Sequence, residues 1–280
     1  MKQTKLLNSF YSILFLIFLT AGLHAQSNNS DTGFIPEVGQ KGKDVIWVPT
    51  PLELVEMMLT MAKVTADDFV IDLGSGDGRT VIAAAKKGAH ALGIEYNPDM
   101  VALSIRNAFH EGVSDKTGFI KADLFEYDLS KATVITLFLL PEINLKLRPR
   151  ILDLNPGTRI VSNTFTMGEW EADYESESTE NWNSWNTALM WIVPARIEGV
   201  WKLGTDELDI RQEFQLFYGK NTGPGKETPI SSGRLSGNEI TFRIGESLFT
   251  GTVDGKKMSG TVITNEKKEE WSAEKIDKLN

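Results

Sequence analysis

The sequence predicts an α/β fold, a parallel sheet with helices on both faces, followed by a small antiparallel β domain. Two observations carry this. Between residues 44 and 194 short β-branched runs alternate with amphipathic stretches, the rhythm of βαβ units. After Pro194 that rhythm gives way to short alternating runs broken by glycine turns.

In chain order, residues 1–25 carry Lys2 and Lys5, an apolar run from Ile13 to Leu23 and small residues up to Ala25, the pattern of a cleaved export signal. An uncleaved anchor is the alternative. The basic residues precede the apolar run, so either reading puts the remaining chain outside the cytoplasm. Residues 26–43 are polar and rich in Gly, Asn and Ser, and read as a linker. "PTPLELVEMMLTMAKV" begins with Pro49 and Pro51 and spaces Leu52, Val55, Leu59 and Ala62 as one buried helix face. "DFVIDLG" is then a buried strand, "RTVIAAAKKG" a helix ended by Gly88, and "AHALGIEY" a second strand. A helix from Pro98 to Gly112 leads to the strand "TGFIKADLF", the strand "ATVITLFLLP", the helix "INLKLRPRILDL" and the strand "GTRIVSNTF". The joint "VPARIEG" opens the domain at 195–280, where Gly237-Asn238 and Asp254-Gly255 are expected hairpin turns in a small sheet or barrel.

Composition excludes several chemistries. The chain has no cysteine and three histidines, His24, His90 and His110, so thiolate sites, histidine-based metal sites and a Ser-His-Asp triad are hard to assemble, and no metal is expected. The formal charge is −9, and removing residues 1–25 takes away two lysines and no acid, giving −11. That balance argues against nucleic acid as a partner, because phosphate contacts need a basic face.

"VIDLGSGDGRT" reads as a strand entering a glycine turn and a helix, a cradle for a nucleotide-containing cofactor. The dinucleotide fingerprint spaces its glycines G-x-G-x-x-G. Here Gly74, Gly76 and Gly78 fall one residue closer, and Arg79 stands where the third glycine belongs. Carboxylates at Asp72 and Asp77 would repel a pyrophosphate and tolerate a cofactor bearing an ammonium.

This stretch resembles motif I, D-x-G-x-G-x-G, of the class I S-adenosylmethionine (SAM)-dependent methyltransferases, which implies a Rossmann-like sheet and SAM as cofactor. The resemblance implies that Asp72 meets the amino-acid end of SAM and that Gly74, Ser75, Gly76, Asp77 and Gly78 let the backbone approach its methionine and ribose parts. It implies that Glu95, with Tyr96 beside it, accepts hydrogen bonds from the ribose hydroxyls, a task suited to an acceptor-only carboxylate. Asp123 matches the position near the adenine amino group, with Leu124 and Phe125 flanking the ring. The stretches "DVIWVPTP", "KADLFEYDLSKATVITLFLLPEINLKLRPRI" and "PGTRIVSNTFTMGEW" extend the likeness over about residues 44–170. Over that span the chain is similar to the family of lysine methyltransferases that modify the ATP synthase c-subunit and the adenine nucleotide translocase, with their bacterial relatives. Val48, Pro49 and Thr50 would then close over the cofactor's carboxylate.

The stretch after the fourth strand bears on the methyl acceptor. "FLLP", Phe138, Leu139, Leu140 and Pro141, offers no Asn or Asp to hold an amide. It suits an apolar channel in which a lysine amine loses its proton by desolvation, and no residue is assigned as general acid or base. The acceptor is thus a protein lysine or another small-molecule or protein nucleophile. "GEWEADYESESTENWNSW" carries six acids between Glu169 and Glu180 together with Trp170, Trp182 and Trp185. It reads either as an acceptor-binding hairpin or as a solvated hairpin with core tryptophans. Trp201 and Trp271 are expected in the core of the second domain.

An export signal and a SAM site conflict, since SAM is not expected outside the cytoplasm. Three resolutions are open: an active enzyme whose signal is inefficient or whose compartment receives SAM, an enzyme held beside a membrane-embedded acceptor, or a retired enzyme that keeps the fold as a binding protein. Intact Asp72, Glu95 and Asp123 argue against the last.

Overall fold

A computed structural model describes residues 33–43, 46–179 and 185–276. The export signal and residues 26–32 of the linker lie outside them. Among the described residues no helix is long and apolar enough to cross a membrane.

The first domain begins with α1 (Leu52–Met61), whose buried residues are Leu54, Val55, Met58 and Leu59, with Ala62 at its end. Leu52, expected on the buried face, is 63% exposed. Pro51 is the N-cap, so Leu52 falls on the free first turn and the stripe starts two residues later. There follow β1 (Phe69–Leu73), α2 (Arg79–Lys86), β2 (His90–Glu95), α3 (Pro98–His110), β3 (Thr117–Lys121), β4 (Val134–Leu137), α4 (Pro141–Leu152) and β5 (Arg159–Asn163). An antiparallel pair, β6 (Tyr174–Glu177) and β7 (Thr187–Ile192), completes a seven-stranded sheet in the order β3-β2-β1-β4-β5-β7-β6. The strands β1 to β5 are parallel, and β7 runs against β5.

Both faces of the central strands are buried, which is why they read as continuous apolar runs. Ile71, Leu73, Ile135 and Leu137 pack against α4 residues Ile143, Leu147 and Ile151. Val70, Val134 and Val161 pack against α1 and α2. The strand order reverses at β1, which has β2 on one side and β4 on the other. In such sheets a crevice opens beyond the strand ends at this point, and ligands bind there.

The second domain is a closed barrel of eight antiparallel strands, β8 (Gly199–Leu203), β9 (Asp206–Glu213), β10 (Leu216–Gly223), β11 (Lys226–Ser236), β12 (Glu239–Ile244), β13 (Ser247–Asp254), β14 (Lys257–Thr264) and β15 (Lys267–Lys275). Pairing of β15 with β8 closes it and leaves no free sheet edge. Gly237-Asn238 forms the β11–β12 turn as expected. The β13–β14 turn is Gly255-Lys256 instead of Asp254-Gly255, because Asp254 still pairs with Lys257 and Gly255 supplies the left-handed residue. The interior is filled: Trp201, Phe217, Phe242 and Trp271 are buried, and Phe242 stacks on Phe249 at 4.7 Å between ring centres. Replacing the buried Ile240 with Val should cost about 1 kcal/mol of stability, read as a lower urea midpoint, and leave SAM binding unaltered.

Candidate active site

The glycine loop leaves the end of β1 with Gly74, Gly76 and Gly78 all left-handed (φ 80°, 54° and 82°), a run that other residues adopt only with strain. Each glycine has its own neighbour. A Cβ on Gly76 would lie 2.6 Å from the Trp47 indole nitrogen, and one on Gly78 would lie 2.8 Å from both Ser104 and Phe119. Gly78 therefore serves the packing of α3 and β3 against the loop and does not line the cavity, contrary to the cofactor role expected for it. From α3, the Ser104 hydroxyl donates to the Gly76 carbonyl and the Asn107 amide to the Asp77 carbonyl, each at 2.9 Å.

The cavity at the sheet's carboxyl end is lined by Asp72, Gly74, Ser75, Gly76, Asp77, Glu95, Tyr96, Asp123 and Leu124, and by Val48, Pro49 and Thr50 from the segment before α1. Most of the expected cofactor residues thus converge on one cavity from separate segments of the chain. Phe125 does not: it packs into the core beside α4, with the Lys146 ammonium 4.4 Å above its ring.

Asp72 is buried at 7% exposure, and its register partner Thr136 donates a hydroxyl hydrogen bond to it at 2.6 Å. Burial pushes its pKa up to about 7; the Thr136 hydrogen bond opposes this, and the charges of Glu95 and Asp77 add to it. Glu95 accepts the Gly76 amide on one oxygen (3.0 Å) and the Asn97 amide on the other (2.9 Å), so it also holds the loop. The Asp77 carboxylate is clamped by Arg79, whose Nη1 donates to the Thr50 carbonyl at 2.9 Å. Arg79 neutralises Asp77, so of the two carboxylates invoked against a pyrophosphate only Asp72 stands without a cationic partner among the described residues.

Residues 39–43, the end of the expected linker, are more than a connector. Gln40, Gly42 and Lys43 line the cavity, and the Trp47 amide and carbonyl bond back to Gln40 and Gly39. The Lys43 ammonium lies 2.6 Å from Asp123 and 4.8 Å from the Tyr96 ring centre, holding the Asp123 carboxyl below the usual range together with the Phe125 amide. Ser75 lines the cavity, while its Oγ is buried toward Gly93 of β2 and has no hydrogen-bond partner among the described residues. A left-handed glycine turn, with one acid deep in the floor and another at a strand end, fits a cofactor with ammonium and ribose groups.

Beyond Asp72 the wall changes character. Phe138, Leu139 and Leu140 line it after β4, joined by Phe165 after β5 and Trp185 before β7. Phe138 stacks on Phe165 at 5.8 Å and meets Trp185 edge-on at 5.9 Å. Pro141, expected in this wall, instead opens α4 and does not line it. Phe165 follows Thr164, a β-branched residue held left-handed at φ 61°, and such an outlier persists only where its surroundings over-determine it. The Asn144 amide, from α4, bonds the Phe165 and Thr166 carbonyls at 3.2 Å. Of the hairpin tryptophans, Trp170 is core, Trp185 lines the cavity and Trp182 lies outside the described residues. Sequence reasoning missed Trp47, Arg79, Lys43, Thr136 and Phe165 as site residues. Thr136, a polar residue inside the apolar run "VITL", carried a signal, and the others carried none beyond proximity to a motif.

Comparison with known proteins agrees. The family model of the ANTKMT methyltransferase domain matches residues 72–174. The chain is 40% identical over 152 residues to a protein-lysine N-methyltransferase of Saccharolobus islandicus, covering 53% of this chain and 94% of that one. It is 34% identical over 129 residues to the lysine N-methyltransferase of the ATP synthase c-subunit from Xenopus laevis, 46% of this chain and 57% of the relative, so it spans little more than half of that protein. A crystal structure described as an RNA methyltransferase from Salinibacter ruber, in complex with S-adenosyl-L-homocysteine, is 45% identical, with a TM-score of 0.51 over 54% of this chain and 96% of that one. Fold, cavity and relatives together define a SAM-dependent methyltransferase. The chain belongs to the methyltransferase family of the Saccharolobus islandicus enzyme, whose length it matches almost completely.

Proposed function

We propose that the protein methylates the side-chain nitrogen of a lysine in a protein acceptor. The observation that carries this is the apolar and aromatic wall of Phe138, Leu139, Phe165 and Trp185 beside Asp72 and Gly74. Bound SAM supplies an electrophilic methyl group on a sulfonium. Asp72 would hold the cofactor's ammonium and Glu95 its ribose hydroxyls. Asp123 would take the adenine amino group, with Lys43 giving way. The wall strips water from the lysine, which favours the neutral amine whose lone pair attacks. The ring faces would stabilise the positive charge that methyl transfer places on the lysine nitrogen. The names of the relatives support a lysine acceptor.

The experiment is transfer of a labelled methyl group from SAM to poly-L-lysine and, separately, to bulk RNA, followed by amino-acid and nucleoside analysis. Methyl-lysine is expected. Label in RNA alone would replace this reading with the one suggested by the name of the Salinibacter ruber protein, which the net charge of −9 disfavours. Phe165→Leu should raise the KM for poly-L-lysine about fivefold with little change in SAM affinity, as loss of one cation–π face predicts.

Export is also our proposal, supported by Lys2, Lys5, the apolar run to Leu23 and the small residues ending at Ala25. Cell fractionation and N-terminal sequencing test it: a mature chain beginning after Ala25 outside the cytoplasm is expected, and an intact cytoplasmic chain overturns it.

A further inference from the structure

The barrel has no assigned role, and its interior is packed with side chains. The match to the Saccharolobus islandicus enzyme spans 94% of that protein and only 53% of this one, so nearly half of this chain has no counterpart there. Whatever the added part contributes is therefore something other than the fold that holds SAM. The contacts between the barrel and the first domain show what it does touch.

The turn between β9 and β10 consists of Phe214 and Gln215, since Glu213 pairs directly with Leu216. Two-residue turns of this kind favour Asn or Gly at a left-handed position. Here that position holds Phe214, at φ 53°, an unfavourable conformation for a bulky residue and one that needs support from outside the turn. The first domain supplies that support. The Phe214 ring lies parallel to the buried Trp170 indole at 6.0 Å, with the Arg148 guanidinium 5.3 Å from its ring centre. Gln215, itself buried, donates its side-chain amide to the Glu171 carbonyl at 2.9 Å. From β11, Arg234 donates to Asp173 at 2.5 Å, and the other Asp173 oxygen accepts the Ile192 amide at 2.9 Å. The barrel thus grips Trp170, Glu171 and Asp173, the base of the β6–β7 hairpin. That hairpin is the element that carries Trp185 into the wall beside Phe138.

We infer that the barrel braces the acceptor-binding hairpin, with Phe214, Gln215 and Arg234 as positioning residues that govern acceptor recognition and not cofactor binding. This rests on the acceptor wall proposed above. Among the described residues the hydrogen bonds to the glycine loop come from α3, the β2 end and Arg79, none of them from the barrel, so the two functions are separable.

The test uses the full chain and two variants, Phe214→Asn and Arg234→Gln. Asn accepts a left-handed turn position, so the first variant removes the stack while keeping the turn. Hydrogen–deuterium exchange across 170–179 and 185–192 is expected to quicken about tenfold in both, while exchange across 72–78 stays at the wild-type rate. SAM affinity by calorimetry should stay within about twofold, and the KM for poly-L-lysine should rise about tenfold with a smaller change in kcat. Unchanged hairpin exchange in both variants overturns the brace, as does a fall in SAM affinity matching the rise in KM. A wild-type enzyme inactive on poly-L-lysine would count against the lysine reading alone, because the exchange result decides the brace without activity.

Discussion

Glu95→Ala is expected to weaken SAM binding about a hundredfold, through loss of two charge-assisted hydrogen bonds to the ribose at about 1.5 kcal/mol or more each. The geometry allows this even though both oxygens already accept the Gly76 and Asn97 amides, since a carboxylate offers about four lone-pair sites. The same substitution frees the Gly76 amide and loosens the left-handed run from Gly74 to Gly78, so its effect should exceed that of Glu95→Gln, which keeps an acceptor oxygen and should cost about tenfold. Calorimetric titration of both variants with SAM measures the difference. Affinity for Glu95→Ala within about threefold of wild type would remove Glu95 from the cofactor site.

The second large effect is a pH dependence set by Asp72. Its pKa in the cofactor-free protein is raised to about 7 by burial, opposed by Thr136 and reinforced by Glu95 and Asp77. Between its ordinary value of 3.8 and about 7 the folded protein holds a proton that the unfolded chain has released. Stability from this group is therefore present at low pH and is lost as pH rises through that window. Cofactor binding runs the other way. An ammonium beside Asp72 needs the carboxylate, so binding below pH 7 must expel the proton, and affinity should fall by up to about tenfold per pH unit from about 7 downward. Titration at about pH 6 in two buffers of different ionisation enthalpy should reveal nearly one proton released per SAM, and almost none at about pH 8. Asp72→Asn keeps an acceptor for the Thr136 hydroxyl and should flatten the profile at a lower affinity. A wild-type affinity independent of pH from about 5.5 to about 7.5 would show that Asp72 does not face the cofactor's charge.

The depth at which the site was legible varies residue by residue. Asp72, Glu95 and Asp123 were readable because each sits within two residues of the end of a strand, and a parallel sheet brings such ends to one edge. Gly78 was readable as a glycine but not for its reason. The spacing marks a tight turn, whereas the contact that forbids a side chain comes from Ser104 and Phe119, far along the chain. Asp77 looked like a free carboxylate until Arg79, two residues away, folded back on it and tied it to Thr50. Phe125 and Pro141 were assigned by adjacency to a motif; the turn after β3 sends Phe125 into the core, and the helical start of α4 takes Pro141 out of the wall.

What the sequence determined by itself is the α/β order, the passage to an all-β domain, the glycine turn and the acids at the strand ends. These follow from local periodicity and from backbone preferences within a few residues. Only the tertiary structure decided the rest: barrel closure through β15 and β8, Lys43 on Asp123, the wall made of Phe138, Phe165 and Trp185, and the grip of Phe214 and Arg234 on the hairpin. Each of these joins residues tens of positions apart, where no period or spacing records the encounter, and their partners are chosen by burial, charge and close packing once the layers have come together.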